Sequence, residues 1–356
     1  GSATSMDTAA RTVTIAAIGA GGLGEGKEQT LPYHALIIAT GTKTASPMMS
    51  LCSETATHET VITALQRFHA QLPSAKSIII AGGGPAGVET AGELGEQLNG
   101  IAGWFRSRPK EIKVKITLIT GDEKLLPALR PALARKAESM LNKVGVDVIY
   151  SQRVTSVAPE GAGTLEFQEK EQEEKNQNGP TPTTVTLQDG TQMQADLYVP
   201  ATGVGANTSF APKDILTEKG FIETNEKTLR VDAAGERVYA LGDVGSYTRG
   251  GILDIFDAVP ICLTNVKKDL LAYAKAAEDE RLALKVKGPD RVYKPNLKET
   301  QLVPIGTKWG VGAVFGWRLP SFMIWLIKGR DYMASNAPKL TFGYKWIKES
   351  KWKVDS

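Results

Sequence analysis

Three glycines spaced Gly82-x-Gly84-x-x-Gly87 could hold the pyrophosphate of a dinucleotide. The chemistry assigns each a task. Gly82 makes the tight turn out of a strand, Gly84 lets the backbone approach the phosphates, and Gly87 lets the following helix pack on the strand. That helix starts at Pro85 and Ala86, and its amino end attracts an anion. The alternative is a glycine-rich turn of an α/β fold that holds no nucleotide. A ribose-reading acid is expected at the end of the next strand, where Thr120-Gly121-Asp122 places its first carboxylate late, with Lys124 close behind. Asp122 is therefore the candidate, and NAD against NADP stays open. Arg106 and Arg108, in an insertion over 99–109, either reach a 2′-phosphate or are solvated loop charges. Gly242 and Asp243 end another apolar strand, at the position where α/β proteins bind ligands.

These residues need elements to position them. Residues 77–81, Ser-Ile-Ile-Ile-Ala, are continuously apolar, as a parallel strand covered on both faces should be. Strand-like runs at 113–120 and 146–150 alternate with helical spacing over 85–98 and 130–144, predicting a βαβαβ unit with a doubly wound parallel sheet. A second triplet, Gly19 to Gly24, also follows a strand, but residues 25–32 carry no helical stripe and reach Pro32. It is expected to be the loop of a long hairpin pairing residues 12–17 with 33–39. Residues 59–72 have helical spacing and end at Pro73, a boundary signal. Ala39-Thr40-Gly41 recurs as Ala201-Thr202-Gly203 after a second apolar strand, suggesting that the chain leaves one domain and re-enters it. A polar tract over 168–184 reads as a hairpin insertion without chemistry.

Composition excludes several classes. The 356 residues carry a formal net charge of +3, with basic residues scattered, so no nucleic-acid partner is expected. Cys52 and Cys262 form no Cys-x-x-Cys pair and read as small buried side chains; His34, His58 and His69 show no ligand spacing, and no metal site is proposed. The longest apolar stretch, 322–327, is far too short to span a bilayer, and the first residues do not read as a signal peptide. A cytoplasmic protein is expected. The tail over 340–353 alternates Phe342, Tyr344 and Trp346 among lysines, suiting either an edge strand or peripheral contact with an anionic membrane.

Read together, residues 33–41, the segment Gly82-Gly83-Gly84-Pro85-Ala86-Gly87-Val88-Glu89, the second Ala-Thr-Gly, residues 239–243, 309–312 and 326–331 resemble the apoptosis-inducing-factor-like pyridine nucleotide oxidoreductases, most of all the ferroptosis-suppressor branch. The resemblance implies an α/β flavoprotein fold with two dinucleotide-binding domains. On that reading 1–73 is a remnant of the FAD-binding domain, 74–203 the NAD(P)-binding Rossmann domain, 204–300 the returning FAD part, and 301–356 a small C-terminal domain. It implies an enzyme in which NAD(P)H gives hydride to FAD, which reduces a quinone-like acceptor. Thr40, Gly41, Gly203, Gly242 and Asp243 would then bind cofactor, the Gly242-Asp243 pair touching the flavin's ribityl and phosphate region. Glu89 would lie near the nicotinamide–flavin contact and Lys328 near the flavin ring. Composition alone leaves Glu89 a helix-start acid and Lys328 a lysine at a helix end.

In one respect the sequence departs from the family. The strand, glycine turn and helix that cradle the FAD pyrophosphate have no counterpart here, so the FAD domain is expected to be incomplete and FAD binding stays open. The second reading is a naturally truncated, flavin-free homologue serving as another enzyme or as an NAD(P)-binding module.

Overall fold

The computed structural model describes residues 1–16, 27–50, 56–165, 167, 180–276 and 288–346. The chain forms two compact units, each built from separated segments: 1–43, 205–296 and 338–356 in the first, 44–204 and 297–337 in the second. The crossings at 43/44 and 204/205 lie beside Gly41 and Gly203.

In the first unit β1 (Ser2–Asp7), β2 (Thr12–Ala16) and β3 (Glu28–Pro32) make an antiparallel sheet with β2 in the middle. The expected pairing of residues 12–17 with 33–39 does not form. Instead β4 (Leu36–Ile38) lies parallel to β14 (Val238–Ala240), because Ile38 joins Met6, Val238 and Ala240 in a buried cluster that a hairpin partner would not complete. β14 alternates as a strand should. Val238 and Ala240 face that cluster, while Tyr239 faces a second one with Leu229, Tyr247 and Cys262. The triplet at Gly19 to Gly24 lies outside the described residues. The long helix here called α4 (Ile252–Ala276) follows, with Pro260 inside it.

The second unit centres on a four-stranded parallel sheet in the order β12 (Leu197–Pro200), β6 (Ser77–Ala81), β7 (Lys115–Ile119), β8 (Val146–Ile149). α2 (Pro85–Asn99) and α3 (Pro131–Lys143) are its crossovers, preceded in the chain by α1 (His58–Gln71). The continuous apolar run of β6 is explained by burial on both faces. Ile78 and Ile80 pack with Val88, Ala91 and Leu133, while Ile79 packs with Ile119, Val185 and Leu187. The second face is covered not by helices, as a doubly wound sheet would have it, but by an antiparallel sheet of β9 (Val154–Ala158), β10 (Thr183–Leu187) and β11 (Gln192–Ala195). Strand β10 alternates buried and half-buried residues, supplying one apolar face.

Among the described residues beyond 300, the buried side chains of two strands join the core of the parallel sheet. β15 (Gln301–Ile305) and β16 (Trp309–Val314) put Val303, Ile305, Val311 and Ala313 into the cluster that contains Ile78 and Leu118. In the described part of the 340–353 tail, the edge-strand alternative does not form: the chain makes a helical turn, Ala337–Thr341, and a short 3₁₀ turn, Tyr344–Trp346. Gly343 takes φ +68 between them, and Phe342 N–H donates to the Pro338 carbonyl, a local helical bond that replaces a ladder. Residues 347–356 lie outside the described residues.

Candidate functional site

The glycine loop joins β6 to α2. Gly82 has φ +129, and a Cβ there would stand 2.0 Å from the Ala201 carbonyl oxygen, so turn and packing both require glycine. A Cβ on Gly87 would stand 1.9 Å from the Gly82 carbonyl oxygen, which holds the helix tight on the loop. Gly84 differs. Nothing lies within 4 Å of where its Cβ would be. It is the N-cap residue of α2, offers no capping side chain, and is followed by Pro85, which has no N–H to satisfy. With neither a capping side chain nor a first-turn acid, no side chain of that turn serves the first N–H groups of α2, and the helix dipole there favours an anion. Packing thus accounts for two of the three glycines and does not require the middle one.

At the end of β7, Thr120 is buried and its hydroxyl accepts from Asp122 N–H at 3.3 Å. Asp122 lines a cavity of about 510 Å³ together with Lys124, Arg135, Glu138 and Tyr150. Lys124 is committed, its ammonium donating to the Leu129 carbonyl. The insertion cations are placed elsewhere. They follow the carboxyl end of α2 and precede β7, hence sit at the amino ends of the parallel strands, opposite the glycine loop. Arg108 there binds Asp147 at 2.6 Å and the Gly145 carbonyl. A 2′-phosphate contact from Arg106 or Arg108 is excluded by this topology.

Glu89, one turn into α2, meets Lys328 at 2.5 Å, and the same ammonium donates to the Leu302 carbonyl at 3.2 Å. Lys328 sits in a π-type turn, Trp325–Gly329, closed by Arg330 N–H on the Trp325 carbonyl. Burial pushes the Glu89 carboxyl above the usual carboxylate range; Lys328 opposes the shift and Glu93 adds to it. Tyr332 donates to Glu93 at 2.9 Å, and the Lys328 ammonium lies 6.0 Å from its ring centre. Sequence reading named Glu89 and Lys328 separately and missed Glu93 and Tyr332. Each stands four residues after its neighbour, a spacing that places side chains on one helix face and could have found them. Farther along α2, Glu96 accepts from Thr307 N–H at 2.9 Å, so three glutamates of one helix hold the 297–337 segment.

In the first unit Thr40 donates its hydroxyl to the Asn207 carbonyl at 2.7 Å, and Asn207 returns bonds to the Thr40 and Gly41 carbonyls at 3.0 Å. These bonds tie the two crossing segments, which pair as β5 (Thr42–Lys43) and β13 (Gly205–Ala206). Gly203, in the second unit, has φ +113, and nothing stands within 4 Å of where its Cβ would be. Gly242, at φ +78, donates to the Tyr247 hydroxyl at 2.8 Å, and Asp243 accepts from Gly251 N–H at 3.0 Å just ahead of α4. Asp243 thereby shapes the loop 241–251. Among the described residues of this unit no strand runs through a tight glycine turn into a helix; β14 reaches α4 only through that loop. Gly242 and Asp243 come just after β14, and the described residues do not fit an FAD pyrophosphate.

Cys262 is fully buried, and burial pushes its thiol up to about 12, which makes it inert at neutral pH. Cys52 lies outside the described residues. Among the described residues no group of His, Cys, Asp and Glu could hold a metal ion, and no helix is long and apolar enough to cross a membrane.

The chain is similar to known proteins. The chain is 48% identical over 350 residues to an oxidoreductase, phnG, of Penicillium herquei, covering 98% of this chain and 78% of that protein. It is 26% identical to human ferroptosis suppressor protein 1, covering 87% of this chain and 72% of the relative. A solved NAD-dependent persulfide reductase from A. fulgidus shares the fold with a TM-score of 0.51 at 20% identity, over 88% of this chain but only 49% of the other. The chain therefore spans about half the length of that solved structure. The family model of pyridine nucleotide-disulphide oxidoreductases matches residues 1–260. A two-domain dinucleotide fold, a glycine loop whose middle glycine faces open space, and this match together place the chain in the pyridine nucleotide-disulphide oxidoreductase family of NAD(P)H-dependent flavoproteins.

Proposed function

We propose that the protein is an NAD(P)H-dependent oxidoreductase whose nicotinamide nucleotide binds at Gly82–Gly87 and whose final acceptor is a quinone-like small molecule. The observation that carries this reading is the open Gly84 at a helix amino terminus with neither an acidic nor a capping side chain. Ala86 and Gly87 would hold the pyrophosphate. Asp122 would accept from the ribose hydroxyls and repel a 2′-phosphate, which favours NADH. Lys328 holds the Glu89 carboxylate in place beside the nucleotide loop. FAD, when bound, would supply a two-electron acceptor between nicotinamide and quinone; its pyrophosphate cradle is not among the described residues. The acceptor class rests on the resemblance to the ferroptosis-suppressor branch.

The test is direct. Purified protein should bind NADH in calorimetry, lose that binding in Gly84→Glu, show flavin absorbance alone or after adding FAD, and then oxidise NADH with a soluble quinone. A flavin-free protein that binds NADH but never oxidises it would overturn the oxidoreductase reading and leave an NAD(P)-binding module. That second reading is favoured by one observation, the loop-only route from β14 to α4.

A further inference from the structure

We infer that the loop between α2 and β7 is an interfacial anchor that sets the second unit on an anionic lipid surface. Arg106 N–H donates to the Gly103 carbonyl at 2.9 Å, closing a turn whose two central residues are Trp104 and Phe105. Their exposures are 89% and 98%, so the two rings rest on nothing in the protein. Ile101 and Ile112, at 41% and 40%, add apolar surface to the same loop. An unsupported aromatic pair in water is unfavourable, and an amphipathic ring such as Trp is suited to the membrane–water interface.

The loop is built rather than loose. Asn99 clasps its far end, its amide donating to the Val114 carbonyl and accepting from Val114 N–H, both at 2.9 Å. Ala102 N–H bonds the Lys143 carbonyl, and Arg108 ties the middle to Asp147. A firm base with an apolar tip spends little entropy on insertion.

Charge selects the occupant. Arg106, Lys110 and Lys113 flank the rings with Glu111 as the one acid among them, and Arg106, Lys110 and Lys113 are all exposed. A second copy of the chain docking tip to tip would bring these cations together. Anionic headgroups would instead neutralise them while the rings enter the acyl boundary. A flat protein partner would be met by rings lying on their own scaffold, not by two projecting ones. The loop is at the amino ends of the strands, so lipid contact there leaves the glycine loop clear.

The experiment is co-sedimentation of the full chain with phosphatidylcholine vesicles and with phosphatidylcholine–phosphatidylserine vesicles, at low and high salt. Binding is expected on the anionic vesicles, falling with salt, weakened about ten-fold or more by W104S/F105S and by R106E/K110E. A chain ending at residue 339 should bind as the full chain does, separating this loop from the aromatic and basic tail over 340–353. Both loop variants should keep the parent's melting temperature and NADH binding, since the exposed side chains support no packing. Absence of binding to anionic vesicles, or binding indifferent to both loop variants, would overturn the inference; loss of NADH binding by every form would sink the proposed function and leave this one standing.

Discussion

At the scale of single residues, the three glycines separate into two kinds. Gly87→Ala must push a methyl into the Gly82 carbonyl and should cost about 2–3 kcal/mol in urea unfolding. Gly84→Ala meets nothing, so its stability should stay within about 0.5 kcal/mol of the parent. Its NADH affinity should nevertheless fall at least about ten-fold, as the methyl occupies the space of a pyrophosphate. Equal losses of stability in the two variants would refute the division. Glu89 makes a pH prediction. Its folded carboxyl binds protons more tightly than the unfolded one, so its contribution to stability declines as pH rises from about 4.5 through the raised folded value. Glu89→Gln should remove that decline, seen as a flatter dependence of the urea midpoint on pH. The triplet was legible in sequence because its flanking strand and helix are local. The Glu89–Lys328 pair was not, since 239 positions separate the partners and only the packing of 297–337 on α2 joins them.

At the scale of elements, β15 and β16 belong to the core of the parallel sheet. Ile305→Ala, at a site with no exposure, should destabilise by about 2–5 kcal/mol and lower the transition in which the α2 region unfolds, read by hydrogen exchange of β6 and β7. Protection of β6 left unchanged would show that the strands are a separate satellite. α4 is held differently. Arg230 binds Asp269 at 2.8 Å and Asp290 at 2.7 Å, and the Tyr239 hydroxyl also donates to Asp269, which is 7% exposed. Arg230→Ala leaves that acid buried among fewer donors and should cost about 3–5 kcal/mol by urea unfolding. Helices and parallel strands of this kind were readable from periodicity and continuous apolar runs. The antiparallel layer β9–β11 was not placed by sequence, because alternation tells which face is buried and not what buries it.

At the scale of the molecule, two units are each closed by segments far apart in the chain. If NADH binds only the second, calorimetry at about 100 times the dissociation constant should raise that unit's transition by the equivalent of about 2.7 kcal/mol and leave the other unmoved. A shift shared equally by both transitions would contradict binding to the second unit alone.

Sequence by itself determined the glycine turn between β6 and α2, the alternation of β6 to β8 with their helices, and the two Ala-Thr-Gly crossings, because each depends on neighbours within a few turns of chain. Tertiary structure alone decided that Gly84 faces open space, that β4 pairs with β14 rather than with β2, and that Arg108 is spent on Asp147 at the edge opposite the nucleotide loop. It alone also turned the tail's alternating aromatics into helical turns, with Lys345 over the Phe256 ring at 3.2 Å. Those outcomes depend on which distant surfaces compete to bury a side chain, and a local pattern carries no term for that competition.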